Sequence, residues 1–426
     1  MKYILKIFPF FLIIIVCKSV FPQENWLRQQ SPVSTVLLNC VFTDSLNGWA
    51  AGDSGVIIHT SDGGNNWLIQ STPVTYYIND IFFIDKNTGW AVANEFLLNG
   101  TTLLKTSNGG NNWTVDSFQD SSKIFRTIYF LDPVTGFLGG FEGAIYKTTD
   151  SGNNWFSTSN DSSFFSAFPV TKFVFISEEN GFACGGQIDI AGVIWKTTDS
   201  GLSWTADGFS PEPFYDIFAE NPDDIFAVGG DFEFGAQISK STDSGQNWTY
   251  ENLGFFGQAQ SIDFRTPYEA WMPLGFAGTW AVSYDSGVSW KSLPATDNAT
   301  LYSVDFTDSL HGWAVGTNGT ILKYIKTNTL IAESAMELPE SFRLFQNYPN
   351  PFNPKTRINF RIVRSGNVTL KIFNPEGREV AELLNSRLPP GEYNTSFDGA
   401  ELPSGIYFCT LRVSEYSQTI KMMLLK

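Results

Sequence analysis

Histidine, cysteine and positive charge are what this chain has least of. Its 426 residues hold 2 His and 4 Cys, and 27 Lys and Arg stand against 43 Asp and Glu, for a net charge of −16. His59 directly precedes a repeated turn and His311 sits in another turn, so neither anchors a catalytic triad or a metal site. Cys17 lies in the N-terminal apolar segment, and Cys40, Cys184 and Cys409 are odd in number and far apart. They make neither a disulfide framework nor a zinc spacing, and read as small buried hydrophobes. The shortage of Lys and Arg argues against nucleic acid and against anionic membrane surfaces, which are bound through positive charge. The acidity is uneven. Residues 23–339 carry 13 basic and 35 acidic side chains, whereas the segment from Glu340 onward carries 11 and 8. Solvation alone accounts for such an excess in an exported protein.

Long apolar runs are also missing. The run Ile7 to Cys17 is 11 residues, too short to cross a bilayer. With Lys2 and Lys6 before it and the small-x-small site Cys17-Lys-Ser19 after it, residues 1–22 are expected to be a secretory signal peptide. The rival lipoprotein reading through Cys17 meets the bulky Val16 where a small residue is wanted. No other segment resembles a transmembrane helix. No glycine-rich loop leads from a strand into a helix, so no phosphate cradle and no cofactor are implied.

Aromatic residues are abundant: 38 Phe, 15 Tyr and 13 Trp, too many for a disordered chain. With 37 Gly and 20 Pro spread along the sequence, they suit many short strands joined by turns. One turn recurs six times as Ser/Thr-x-Asp-x-Gly-x-x-Trp. It begins as Thr60-Ser-Asp62-Gly-Gly64-Asn-Asn-Trp67 and returns around Asn108 and Trp113, Asp150 and Trp155, Asp199 and Trp204, Asp243 and Trp248, and Asp285 and Trp290. The repeating unit is roughly 42 to 47 residues, a period that signals propellers and solenoids.

Each unit holds four strand-like parts: an apolar run such as Ile81-Phe-Phe83, a Gly-Trp-Ala-Val-Gly type run such as 312–316, a short third run, and a fourth opened by the Trp of the turn. The second signature occurs seven times and the turn six. The missing fourth strand is at the other end, where Asn25-Trp26-Leu-Arg-Gln-Gln30 resembles the tail of a turn. The N-terminal strand is therefore expected to complete the last blade and join the two ends of a ring, which removes open sheet edges. The expected fold is all-β: a seven-bladed β-propeller over residues 23–326, a linker over 327–341, and a small immunoglobulin-like β-sandwich of six strands over 342–426.

These motifs carry two resemblances. The repeated turn resembles the Asp box, or bacterial neuraminidase repeat. With Gly-Trp-Ala-Val-Gly and the following Gly319-Thr-Ile-Leu-Lys323, the unit is most similar to the photosystem II assembly and stability factor propellers. This implies a fold more than a function, since sialidases, xyloglucanases, sortilin-type receptors and assembly factors share the repeat. The C-terminal segment resembles the type IX secretion system type A sorting domain of the Bacteroidota and their relatives. The matching stretches are Asn347-Tyr-Pro-Asn-Pro-Phe-Asn-Pro354, Val368-Thr-Leu-Lys-Ile-Phe373, Gly377-Arg-Glu-Val380 and Leu402-Pro-Ser-Gly-Ile-Tyr-Phe408. That resemblance implies an outer-membrane translocon as partner, followed by release or surface attachment.

The repeated Asp reads as structural. Its carboxylate and the Ser/Thr hydroxyl can accept backbone N–H bonds within the turn, and Asn108 can do the same but cannot act as an acid. A sialidase reading needs an arginine cluster. The propeller has Arg28 on an outer strand, Arg265 in a first-to-second turn, and Arg126 without the Pro of the family's Arg-Ile-Pro motif. A ligand is expected on the opposite rim, where the first strands begin. Asn79, Asp80, Arg126, Lys172, Tyr215, Gln260 and Tyr302 are the candidate binding residues, with ordinary solvated rim residues as the alternative. No catalytic or metal-ligating residue is assigned. The reading is a secreted or cell-surface binding or adhesion protein for a glycan or protein ligand. The alternative is a secreted glycan hydrolase, marked by a carboxylate pair on the channel face.

Overall fold

The structure, a computed structural model, describes residues 26–95, 100–118, 120–325, 342–363, 366–375, 377–388, 391–400, 402–413 and 416–425. The expected signal peptide and the linker over 327–341 lie outside the described residues. The described chain is all-β apart from short 3-10 turns.

Residues 26–325 form seven sheets in succession, antiparallel but for one strand pair. The first is typical: Leu37–Phe42, Gly48–Gly52, Ile57–Thr60 and Leu68–Gln70, paired in sequence order. The seventh is different. Its strands Leu301–Phe306, Gly312–Gly316 and Ile321–Tyr324 are completed by Trp26–Arg28, with Trp26 opposite Tyr324. The fourth sheet carries a strand that the repeat does not foretell. Ser159–Asn160 pairs in parallel with Ser203 and Trp204. Arg265, expected in a turn, lies on the strand Asp263–Thr266, where Glu269 pairs with its guanidinium.

Several of the seams between sheets share one aromatic arrangement. The second-strand ring of a sheet stacks on the first-strand Phe of the next: Trp49 on Phe83, Trp90 on Phe130 and Trp313 on Phe42, all at 3.6 Å. The Trp of the repeated turn then meets that Phe edge-on, as with Trp67 on Phe42 at 5.8 Å and Trp113 on Phe83 at 5.8 Å. Trp313 on Phe42 sets the seventh sheet against the first. Trp26 fills the place of the missing turn's Trp, edge-on to Phe306 at 5.6 Å and stacked on Trp280 at 4.9 Å. Such ring pairs contribute about 0.5–1.5 kcal/mol each beyond the area they bury.

The repeated turn lies at the end of each sheet where the first strand finishes, since Phe42 pairs with Gly48 and Gly48 with Thr60. Its bonds repeat. Gly64 N donates to Thr60 Oγ1 at 2.9 Å, Asn66 N to Asp62 Oδ1 at 2.9 Å, and the Asn66 side chain to Asp62 Oδ2 at 2.7 Å. In the second copy Asn112 N donates to Asn108 Oδ1 at 3.0 Å, so the amide oxygen serves as the carboxylate does. Asp150, Asp199, Asp243 and Asp285 hold equivalent bonds to Asn154, Ser203, Asn247 and Ser289. Trp67, Trp113, Trp155 and Trp204 are buried, while Trp248 and Trp290 are half-buried. The glycine is required. At Gly201 φ is +75°, and an added Cβ would sit 2.3 Å from the Phe137 ring of the preceding sheet.

Residues 342–425 form two sheets, Arg343–Leu344 with Lys355–Ile362 and Gly391–Asp398, and Glu379–Leu388 with Gly366–Phe373, Gly405–Val413 and Tyr416–Leu424. Alternate side chains of both sheets, among them Ile358, Phe360, Leu370, Ile372 and Leu411, share one core. Cys40, Cys184 and Cys409 are buried free thiols.

Candidate functional site

The first strands of all seven sheets line one cavity of about 510 Å³. A regular irregularity shapes it. In six sheets the pairing of first and second strand slips by one residue at the same place: at Leu38, Asn79, Arg126, Thr171, Tyr215 and Tyr302. A bulge sets two residues opposite one and re-aims their side chains. Here each bulged residue and its successor both line the cavity. In the sixth sheet Gln260 and Ser261 take these places ahead of the strand, held by a bond from Gln260 N to Pro273 O at 3.1 Å.

The seven side chains Asn79, Asp80, Arg126, Lys172, Tyr215, Gln260 and Tyr302 are thereby brought together, in two rows. The outer row is the bulged one. Arg126 is exposed, and Asn79, Tyr215, Gln260 and Tyr302 are half-buried. Gln260 donates to Gln258 Oε1 at 3.1 Å, and Gln258 to Tyr215 Oη at 3.4 Å. The Asn79 amide bonds to Asn94 Oδ1. Arg126 lies over the Phe141 ring at 5.5 Å.

The inner row holds Asn39, Asp80, Thr127, Lys172, Asp216, Ser261 and Ser303, and it is tied into the fold. Asp80 receives Thr127 Oγ1 at 2.7 Å, Ile128 N at 3.1 Å, Lys172 Nζ at 2.9 Å and the Asn39 amide at 2.5 Å. Asp80 and Lys172 are thus engaged with each other and with neighbouring sheets. Burial lowers the Lys172 pKa, but the charges of Asp80 and Asp216 more than reverse this and hold it above its ordinary value.

Asp216, Asp263 and Asp305 were not among the residues expected from the sequence, and they join this cavity. Each spans to the next sheet. Asp216 accepts from Ile262 N at 2.9 Å, Asp263 from Phe306 N at 2.5 Å, and Asp305 from Phe42 N at 2.6 Å. The last bond links the seventh sheet to the first. Burial raises all three pKa values, Asp305 to about 7, and the Asp305 charge pushes Asp263 further. The usable signal was an acid inside an apolar run, as in Ile262-Asp-Phe264 and Val304-Asp-Phe306.

The two histidines are remote from the cavity lining. His59 stacks on Trp49 at 4.7 Å, and His311 Nδ1 lies 2.8 Å from Asp308 Oδ2. Among the described residues, Asp189, Glu212 and Asp231 converge with carboxylate oxygens within 4.8 Å of one another, a spacing a metal ion can use. Asp189 and Glu212 lie in separate turns and Asp231 ends the strand Ile225–Asp231, so no motif announces them.

Residues 18–164 match the family model of the photosynthesis system II assembly factor YCF48, and residues 346–425 match that of a secretion system C-terminal sorting domain. Both agree with the resemblances drawn from the sequence, and the second indicates export to the cell surface or the medium. No curated relative matches the chain in sequence. Among solved structures, YCF48 bound to D1 peptide is similar at 20% identity and TM-score 0.57, over 72% of this chain and 99% of that one. The WD40 β-propeller domain of Doa1 is similar at 10% identity and TM-score 0.50, over 71% and 96%. The GH74 enzyme of Niastella koreensis is similar at 14% identity and TM-score 0.55, over 79% and 59%. At these identities the likeness is one of propeller-like fold.

Proposed function

We propose that this chain is an exported binding protein, a closed seven-bladed propeller carried by an immunoglobulin-like sorting domain through a type IX translocon. It captures a partner, glycan or protein, over the central cavity. The observation that carries this reading is the row of bulges, which turns a second ring of side chains toward one mouth. A uniform scaffold with a varied rim is how binding surfaces are built. Asn79, Arg126, Tyr215, Gln260 and Tyr302 offer that rim amides, a guanidinium and phenols. Asp80 and Lys172 support it from beneath. A structure of similar fold holds a peptide, YCF48 with D1 peptide.

A second reading, a glycan hydrolase, is favoured by one observation: Asp263 and Asp305 are neighbouring cavity acids with raised pKa values, as a general acid requires. Against it, both carboxylates already accept backbone N–H groups that fasten adjacent sheets. A glycan array and a surface-protein fraction, each with a product assay, test the choice. Retention without product formation supports the binding protein. Product release that is lost in Asp263→Asn would establish the hydrolase.

A further inference from the structure

Beside the cavity mouth, three neighbouring sheets expose large apolar side chains. Ile188 and Ile190 stand on the turn between Gly181–Gln187 and Ala191–Thr197, and Phe232 and Phe234 on the turn between Ile225–Asp231 and Gly235–Ser241. Phe276 lies between Glu269–Pro273 and Thr279–Ser283, with Phe256 beside it. They form one surface. Phe232 stacks on Phe276 at 4.3 Å, and Phe256 meets Phe276 edge-on at 5.5 Å. The first two turns are joined at Asp189 and Asp231, whose carboxylates converge with that of Glu212. Phe256 leads through Gly257 to Gln258, which bonds to Tyr215 of the cavity rim. Phe232 and Phe256 are 61% and 65% exposed, far more than a core aromatic leaves in water.

The charges on this surface have one sign. Among the described residues, Asp189, Glu212 and Asp231 make no ion pair with a basic side chain, and Glu233 adds a further carboxylate. Converged carboxylates beside exposed rings suit a cation with an apolar stem, since a guanidinium or ammonium gains from both the anions and the ring faces. Neutral glycans bring no charge to this cluster. The rings are Phe, with no hydroxyl or N–H to direct at sugar hydroxyls.

We propose that this arc docks an extended polypeptide segment in which an Arg or Lys alternates with apolar side chains. The basic group meets the exposed Asp189 and Glu233, with Glu212 and Asp231 buried beneath them, and the apolar ones lie on Phe232, Phe256 and Phe276. The proposal rests on the reading of the cavity face as a binding face and names its partner.

The test uses the full chain and two short fluorescein-labelled peptides, one alternating Phe, Arg and Gly and one with Glu for Arg, followed by fluorescence anisotropy. The Arg peptide binds, and its affinity falls as salt rises. Phe232→Ser with Phe256→Ser, and separately Asp189→Asn with Glu233→Gln, each weaken it at least tenfold. These side chains are exposed, and thermal midpoints check that the fold is kept. Equal binding of the two peptides, or unchanged affinity in both double variants, overturns the proposal. So does retention of neutral oligosaccharides by the same phenylalanines. Binding of surface fractions that depends on Tyr215 and Tyr302 is scored separately, so failure at the arc is distinguishable from failure of the cavity reading.

Discussion

The indole Nε1 of Trp313, in the last sheet, donates to the carbonyl of Gly63, in the first repeated turn, at 3.2 Å. Trp49 makes the same bond to Gly109 at 3.1 Å, and Trp90 to Ser151 at 3.2 Å. Where the second-strand aromatic is a Phe, it has no N–H to give, and the donor is a third-strand lysine, as Lys105 Nζ also is to Ser151 O at 2.9 Å beside the Trp90 bond. Lys147 Nζ reaches Ser200 O at 2.7 Å beside Phe137, and Lys240 Nζ reaches Ser286 O at 2.9 Å beside Phe226. The turn is thus a receiver for a donor from the preceding sheet. This explains its recurrence without any catalytic role for its Asp.

Substitution at that seam should separate ring from bond. Trp313→Phe keeps the stack on Phe42 and loses the N–H, at a cost of about 0.5–1.5 kcal/mol. Trp313→Ala loses both and should cost about 3–5 kcal/mol, as should Trp155→Ala. Urea denaturation measures each. A midpoint unchanged in Trp313→Ala would mean that this seam does not hold the molecule together.

The residue before the turn's glycine is left-handed in every copy. It is Gly63 and Gly109 in the first two, but Ser151, Ser200, Ser244 and Ser286 in the others, with φ from 57° to 64°. That region disfavours a side chain by about 1–2 kcal/mol. Ser200→Gly, at φ 61°, should therefore stabilise the protein by roughly 1 kcal/mol despite the greater freedom of glycine in the unfolded chain. A lowered thermal midpoint would refute the account of the turn.

Stability should also report the cavity acids. Asp305 has its pKa raised by burial to about 7, against an ordinary value of 3.8. A folded value above the unfolded one means the native state holds the proton more tightly. Its stabilisation is complete below the unfolded value and is lost as pH rises through about 7. Between about pH 5 and 8 the wild type should lose thermal stability, and Asp305→Asn should lose less. Glu220, raised by burial and by Asp224 to about 7, has the same sign but is present in both proteins. Asp243, held at about 2 by the Asn247 side chain and backbone, has the opposite sign and matters only in acid. Parallel pH profiles for wild type and Asp305→Asn would contradict this.

Much of the architecture was legible because it is periodic. The repeated turn, the Gly-Trp run and the orphan Trp26 each occur at fixed offsets, and the structure uses Trp26 where the offset asks for a turn Trp. The outer cavity row was legible for the same reason. Asp80 and Lys172 of the inner row were also found, but Asp216, Asp263 and Asp305 were not, because one bulged residue reverses the alternation by which strand faces are read, and Asp263 and Asp305 sit amid apolar neighbours. Nor was the convergence of Asp189, Glu212 and Asp231, since turns of unlike length meet only in three dimensions. Ser159–Asn160 escaped because two residues carry no period.

The central claim is that the bulged rim, not the repeated turn, carries function. Its most direct test is equilibrium binding of the exported chain to cell-surface protein and polysaccharide fractions, compared between two variants of matched thermal stability. Tyr215→Ala with Tyr302→Ala should weaken binding at least tenfold, the order of one to two lost aromatic contacts. Asp62→Asn, on the turn, should leave it unchanged. Full binding by the tyrosine variant, or loss in Asp62→Asn alone, would contradict the claim.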